Sequence, residues 1–258
     1  MGRGEGVRVA VLDTGVDPTH PLLSGRVQVI GEGEWGLGSL ERELGIDSDG
    51  DSLVDEAFGH GTHVAGIVAT VAPAAEILVI RVLDSDGVGS AFDLARGLYR
   101  ALEWGAQVIN LSLVLSGESE VIDEVLHDLR QRKVIVVGAA GNRPGQPYYP
   151  ASESDVLSIA AVDQQLALAT YSATDGVRVA APGVQVLSAF PGERWAAASG
   201  TSMASASASG AMAILTAMQG SAEEAENLLR DSAIELAPVN DGVIDLLTAA
   251  YDAAGESN

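Results

Sequence analysis

The chain has 258 residues, 47% of them hydrophobic, with a positive mean hydropathy, which is ample material for a packed core. Its 14 Lys and Arg face 36 Asp and Glu, a net charge of −22 that repels nucleic-acid phosphates and anionic membrane surfaces and sets both aside as partners. There is no cysteine, hence neither disulfide nor thiolate chemistry; apolar runs such as Val134–Val137 are far too short to span a bilayer, and no basic-then-apolar signal segment opens the chain.

The first predicted strand, Val7–Leu12, is apolar throughout, as a strand buried on both faces is, and it opens into a turn at Asp13-Thr-Gly15. Asp13 is then either a turn or cap residue or a placed carboxylate. A second strand covers Val27–Ile30. The stretch Gly31–Gly36 behind it matches G-x-G-x-x-G in letter, but Glu32 and Glu34 would repel a pyrophosphate, so no dinucleotide is expected. Further on, Asp47, Asp49 and Asp51 alternate, followed by Asp55 and Glu56. These are oxygen donors suited to a hard cation such as Ca²⁺, the alternative being a solvated acidic loop.

Four histidines are present: His20 in a turn, His127 in a charged helical stretch where solvent should reach it, and His60 with His63 in Gly59-His-Gly-Thr-His-Val-Ala-Gly66. That segment opens an apolar helix whose Val64, Ile67, Val68 and Val71 should face inward. Two histidines three apart can hold zinc, but the glutamate of H-E-x-x-H is missing, and zinc is not expected.

Strands and helices then alternate. Strands are predicted at Ile77–Val82, Val108–Leu113, Lys133–Val137, Val156–Val162 and Val177–Ala181, and helices at Asp93–Trp104, Ser119–Arg132, Ala222–Leu236 and Val243–Ala253. This pattern predicts one α/β domain over residues 1–258, three-layered, with a mostly parallel central sheet and helices on both faces. Ligands of such sheets gather at the carboxyl ends of the strands. Asn142, in the loop after Lys133–Val137, is a side-chain donor so placed, or a turn residue. The nine residues Ser199–Ser207 have a linker's composition, yet they lead into the apolar stretch Gly210–Met218. Ser202 is then either a helix cap or a hydroxyl beside a positive helix end.

Taken in order, Asp13-Thr-Gly-Val-Asp-Pro-Thr-His-Pro21, His60-Gly-Thr-His-Val-Ala-Gly66 and Gly200-Thr-Ser-Met-Ala204, with Gly138-Ala-Ala-Gly-Asn142 between, resemble the motifs of the subtilisin-like serine proteases (subtilases, peptidase family S8). Val108–Leu113, Tyr149–Ala151, Ala180–Gly183 and Gly242–Asp245 extend the resemblance along nearly the whole chain. It implies a serine endopeptidase with Ser202 as nucleophile, His60 as base, Asp13 orienting the imidazole, Asn142 donating to the oxyanion, and His63 structural. A protein or peptide substrate would lie as an added strand between Gly87-Val88-Gly89 and Ser112-Leu113-Val114, with Ala140, Gly141 and Tyr148 around the side chain before the cut. The resemblance also implies no organic cofactor, a monomer, secretion, and a propeptide upstream, and it leaves structural Ca²⁺ to Asp47, Asp49, Asp51 and Asp55.

Departures are specific. The family continues Ser-Pro-His-Val-Ala-Gly after the nucleophile motif, where this chain has Ser205-Ala-Ser-Ala-Ser-Gly210. A calcium-binding insertion common after the His helix is absent between Val71 and Ala72. Val114-Leu115 and Tyr148 replace smaller residues and should narrow the cleft against large aromatic side chains. Two other readings stay open: a peptide-binding descendant without turnover, and a processing protease of narrow specificity.

Overall fold

The computed structural model describes residues 2–31 and 38–254. Beyond Gly31, the Gly31–Gly36 stretch lies outside the described residues. Ten strands and six helices follow in the order β1 (Arg8–Asp13), β2 (Val27–Val29), α1 (His60–Val71), β3 (Glu76–Arg81), α2 (Ala91–Trp104), β4 (Val108–Leu111), α3 (Glu120–Gln131), β5 (Ile135–Ala139), β6 (Val156–Val162), β7 (Val179–Pro182), β8 (Val186–Phe190), β9 (Arg194–Ala198), α4 (Thr201–Gln219), α5 (Ala222–Asp231), β10 (Gly242–Val243) and α6 (Leu246–Ala253).

Eight strands form one parallel sheet in the order β10-β7-β6-β5-β4-β1-β3-β2. Side chains alternate between its two faces, and each face has its own core. In β1, Val9 and Val11 belong to the core that α1, α4 and α5 build on one face, whereas Ala10 and Leu12 belong to the core of α2 and α3 on the other. This is why the strands read as unbroken apolar runs: neither face meets water. Asp13, two residues beyond Val11, falls on the α1 side.

Two expected helices are corrected, and one hairpin is added. The helix from Ala222 ends at Asp231, short of Leu236, because Ile234 exchanges two backbone hydrogen bonds of 2.8 Å with Val243. For the same reason Val243 belongs to an edge strand, Gly242–Val243, on β7, and the last helix starts only at Leu246, where Asp245 caps it through Thr248 N–H at 3.1 Å. The hairpin β8–β9 was not visible as strands in the sequence; its Pro191-Gly192 turn is the signal that could have shown it. It grips α1 from outside the sheet, since Ser188 Oγ donates to His63 O at 2.8 Å and His63 Nε2 donates to Ala196 O at 3.0 Å.

Ser199–Ser207 is no linker. α4 runs unbroken for 19 residues through the centre of the molecule, with Ala204, Ala206 and Ala208 fully buried. Ser202 lies within the first turn of this helix, not before it. Ala206 stands where the family's proline falls, and its side chain packs in the core without interrupting the helix.

Candidate active site

Asp13 ends β1 fully buried, and its Oδ1 accepts from Thr14 N–H at 2.8 Å and from His60 Nδ1 at 2.7 Å. The pair can form because α1 starts hard against the turn that follows β1. A Cβ on Gly61 would lie 2.2 Å from Gly15 O, so only glycine allows this approach. A carboxylate can only accept, so neutral His60 carries its proton on Nδ1 and leaves the Nε2 lone pair free. Nε2 has no partner among the described residues, and the side chain keeps 27% of its surface exposed. Burial disfavours a charged ring, but the charge and hydrogen bond of Asp13, with the charge of Glu41 behind them, outweigh it and hold the His60 pKa above the ordinary histidine value.

α1 has a glycine, Gly59, at its N-cap, and no side-chain cap from there. The missing acceptor comes from far upstream: Glu41 Oε2 receives Thr62 N–H at 3.0 Å and Thr62 Oγ1 at 2.9 Å. Its other oxygen, Oε1, is buried without a partner. Burial, reinforced by the charge of Asp13, pushes the Glu41 carboxyl above the usual glutamate value despite these bonds.

α4 repeats the device. Gly200 precedes it without a side-chain cap, and Asn142 Oδ1 accepts from Thr201 N–H at 2.9 Å and Thr201 Oγ1 at 3.1 Å. Those two donors fix which end of the amide is oxygen, so Nδ2 is free to donate elsewhere, and it has no partner among the described residues. Ser202 Oγ donates to Ser112 O at 3.3 Å, a long bond for a hydroxyl. Beneath it runs a buried polar network that sequence reasoning missed. Asn110 Nδ2 donates to Ser112 Oγ at 2.9 Å, Ser112 Oγ lies 3.0 Å from both Ser202 O and Ser205 Oγ, and Ser209 Oγ donates to Asn110 Oδ1 at 3.0 Å. The clue was a polar Asn110 inside an otherwise apolar strand, which demands partners.

A cavity of about 540 Å³ opens beside Ser202, lined by Ser112–Ser116, Ala139, Gly141–Arg143, Tyr148 and Thr201. A second, of about 220 Å³, shares Leu113–Ser116 and is bounded on its far side by Gly87, Val88 and Gly89. The structure thus brings together the two expected flanking segments. Tyr148 lies over Gly141, where an added Cβ would come within 2.4 Å of its ring. Ala140 is a correction: it is fully buried away from the cavity, among residues such as Ala160 and Val162, and serves through its carbonyl, which accepts from Tyr148 N–H at 2.9 Å. Sequence reasoning also passed over Glu41, Thr201 and Arg143.

Two other histidines lie apart. His20 is in its expected turn but is buried, accepting from Leu22 N–H on Nδ1 and donating from Nε2 to Arg194 O at 2.8 Å. His127 is 65% exposed on α3 beside Asp155.

In the acidic loop, carboxyl oxygens of Asp47, Asp49 and Asp86, and of Asp49, Asp51 and Glu56, come within 4.8 Å of one another. Asp55 does not join them. Its carboxylate accepts from Leu44 N–H at 2.9 Å, from Gly45 N–H and from Ser85 Oγ, while Asp86, distant in sequence, folds in instead. All these donors are oxygens, the chemistry of a hard cation.

A three-layer parallel sheet with a buried carboxylate paired to an imidazole beyond its strand ends, and a serine in the first turn of a buried helix, is the architecture of a subtilisin-like serine hydrolase. The chain matches the subtilase family model over residues 4–252. It is 34% identical over 247 residues to thermitase of Thermoactinomyces vulgaris, covering 90% of this chain and 83% of that one. To subtilisin Savinase of Lederbergia lenta it is 35% identical over 250 residues, covering 92% and 87%. A thermophilic serine proteinase of Bacillus sp. (strain AK1) is 38% identical over 227 residues, 83% of this chain; the match spans only 53% of that longer protein. Among solved structures, the protease domain of PatA, solved as a serine-to-alanine mutant, superposes with a TM-score of 0.83 at 27% identity, covering 100% of this chain and 99% of that one. The chain belongs to the subtilase family and is a serine endopeptidase.

Proposed function

We propose that Ser202, His60 and Asp13 act as a nucleophile, base and orienting carboxylate, and that peptide hydrolysis runs through an acyl-enzyme on Ser202. The observation that carries this is the 2.7 Å bond between His60 Nδ1 and Asp13 Oδ1, which leaves Nε2 unprotonated and open. Among the described residues Ser202 Oγ is held only by its long bond to Ser112 O, and for attack, rotation about the Cα–Cβ bond must exchange this bond for one to that nitrogen. His60 then takes the hydroxyl proton as Oγ attacks the carbonyl carbon. The oxyanion so formed meets Asn142 Nδ2, aimed by Thr201, and the positive end of α4. Return of the proton from His60 to the amine breaks the peptide bond, and water, deprotonated by the same ring, releases the acyl group.

The substrate is read as an extended strand between 87–89 and 112–114, whose convergence on two adjoining cavities supports this placement. A Ca²⁺ ion would be held by Asp47, Asp49 and Asp51, with Asp86 and Glu56, and would supply positive charge that stiffens the loop before α1; no step of the reaction passes through it. No helix of the described residues is long and apolar enough to cross a membrane; secretion is proposed on the family resemblance, although a relative 34% identical over 230 residues is an intracellular serine protease of Paenibacillus polymyxa. A narrow processing role is favoured by likeness to a structure described as the prenylagaramide maturation protease PagA, with a TM-score of 0.81 at 27% identity.

A fluorophosphonate probe tests the reading, applied with and without a calcium chelator. Labelling of the chain that disappears in Ser202→Ala is expected. An unlabelled but folded protein that still binds peptides would make it a cleft without turnover.

A further inference from the structure

Among the described residues, the cavity beside Ser202 is lined by no carboxylate, in a chain with 36 of them, and by one cation, Arg143. That arginine is exposed and makes no ion pair or side-chain hydrogen bond among the described residues. Most other basic side chains are engaged: Arg8 with Glu76, Arg130 with Glu226, Arg132 with Asp128, and Arg230 with Asp241. So acidic a molecule has carboxylates to spare for Arg143, yet none among the described residues pairs with it, which leaves its guanidinium open to an anionic group on a bound peptide.

Its position is also restricted. Pro144 disfavours helical backbone at residue 143, and Gly145 O is tied by Thr174 N–H and Asp175 N–H, each at 3.0 Å, so the backbone that carries Arg143 at the cavity is restrained. Ser116 adds a hydroxyl to the lining, and the Tyr148 ring over Gly141 takes up room that a large aromatic side chain would need. A guanidinium pairs with a carboxylate through two parallel N–H bonds, and with neither an amide nor an aliphatic group in that way.

We infer that Arg143 selects an acidic side chain, Glu or Asp, for the residue immediately before the cut. The inference rests on the proposed nucleophilic role of Ser202. The charge of −22 repels acidic peptides at a distance, but at 0.15 M salt that field is screened beyond about 8 Å, whereas contact inside the cavity is screened far less.

The test uses fluorogenic peptides identical except for Glu, Gln, Leu, Phe or Arg before the cut, with kcat/KM measured at 0.15 M salt for the wild type, Arg143→Ala and Arg143→Glu. Fluorophosphonate labelling of Ser202 is followed alongside. The wild type is expected to favour Glu over Gln by about threefold to tenfold, as a partly exposed charge pair allows. Arg143→Ala should bring that ratio near one, and Arg143→Glu should put the Arg peptide ahead of the Glu peptide. The inference is overturned if Ser202 labels normally while Leu or Phe peptides are cut best and the Glu-to-Gln ratio ignores both variants. It is equally overturned if all five peptides slow together, since that would place Arg143 in the reaction and not in selection. Absence of labelling overturns it together with the nucleophilic role itself.

Discussion

Gly210 of α4 and Val71 of α1 meet so closely that a Cβ on Gly210 would lie 2.5 Å from Val71 Cβ. The two helices that carry Ser202 and His60 cross here, so this contact sets their spacing far from either side chain. Gly210→Val is expected to destabilise the fold by about 1–3 kcal/mol through overpacking. For a chain of this size that lowers the thermal midpoint by several degrees, at about 2–4 °C per kcal/mol. Adding Val71→Gly, which removes the Cβ that is met, to a milder Gly210→Ala should recover part of the loss, which calorimetry of wild type, both single variants and the pair would measure.

Glu41 yields a prediction with a definite sign. Its carboxyl is raised in the folded state, chiefly by burial, so its contribution to stability is fully present below the unfolded glutamate value of about 4.3 and is lost as pH rises through the folded one. Gln keeps an oxygen for Thr62 N–H and Oγ1 without the buried charge. Glu41→Gln should therefore match or exceed wild-type stability at pH 7, with the advantage vanishing near pH 4. Glu41→Ala should be destabilised at both, because the helix N–H loses its acceptor at a cost of about 1–3 kcal/mol. Thermal melts of the three proteins across that range decide it.

His60 must be neutral to accept a proton, and its pKa is held above the ordinary value of 6.5 by Asp13 and Glu41 against the effect of burial. The acid limb of kcat/KM should accordingly fall at a pH above that value. Removing the charge of Glu41 should move the limb to lower pH, so Glu41→Gln is expected to retain more of its activity in mild acid than the wild type does. A limb that stays in place would show that Glu41 acts on the helix alone.

The acidic loop leads directly into α1, so a bound cation should register as stability. Millimolar Ca²⁺ is expected to raise the thermal midpoint and a chelator to lower it, by up to about 2.7 kcal/mol where the ion stands at a hundred times its Kd. In Asp49→Asn, which removes the carboxylate shared by both acidic groups, the response should weaken or disappear. An unchanged midpoint in the wild type would leave a loop held by its own backbone, as where Gly50 N–H and Ser52 N–H already reach Asp47.

What could be read in advance followed how local its cause is. The strands of the sheet declared themselves because burial on both faces needs unbroken apolar runs, and β6 appears at its expected residues. Asp13, His60 and Ser202 stood out through motifs in which glycines permit close approach. Glu41 did not, since a carboxylate that caps a helix 19 residues downstream has no mark in its own neighbourhood. Asp86 escaped notice for the same reason. The limits of α5 and α6 were misplaced because the Ile234–Val243 pairing, a tertiary contact, overrode a good helical pattern. Ser209 looked like a departure from a family pattern; with Ser205, which keeps the pattern, it is a partner in the network with Asn110 and Ser112.

β1 comes first in the sequence yet lies inside the sheet, hydrogen-bonded to residues 76–81 on one side and 108–111 on the other. A growing polypeptide cannot settle this strand until both neighbours have been synthesised, and the helix bearing Ser202 arrives later still. Catalytic capacity is thus acquired at one late moment of maturation, and an unfinished chain on the ribosome has no competent hydrolytic centre to turn on its surroundings.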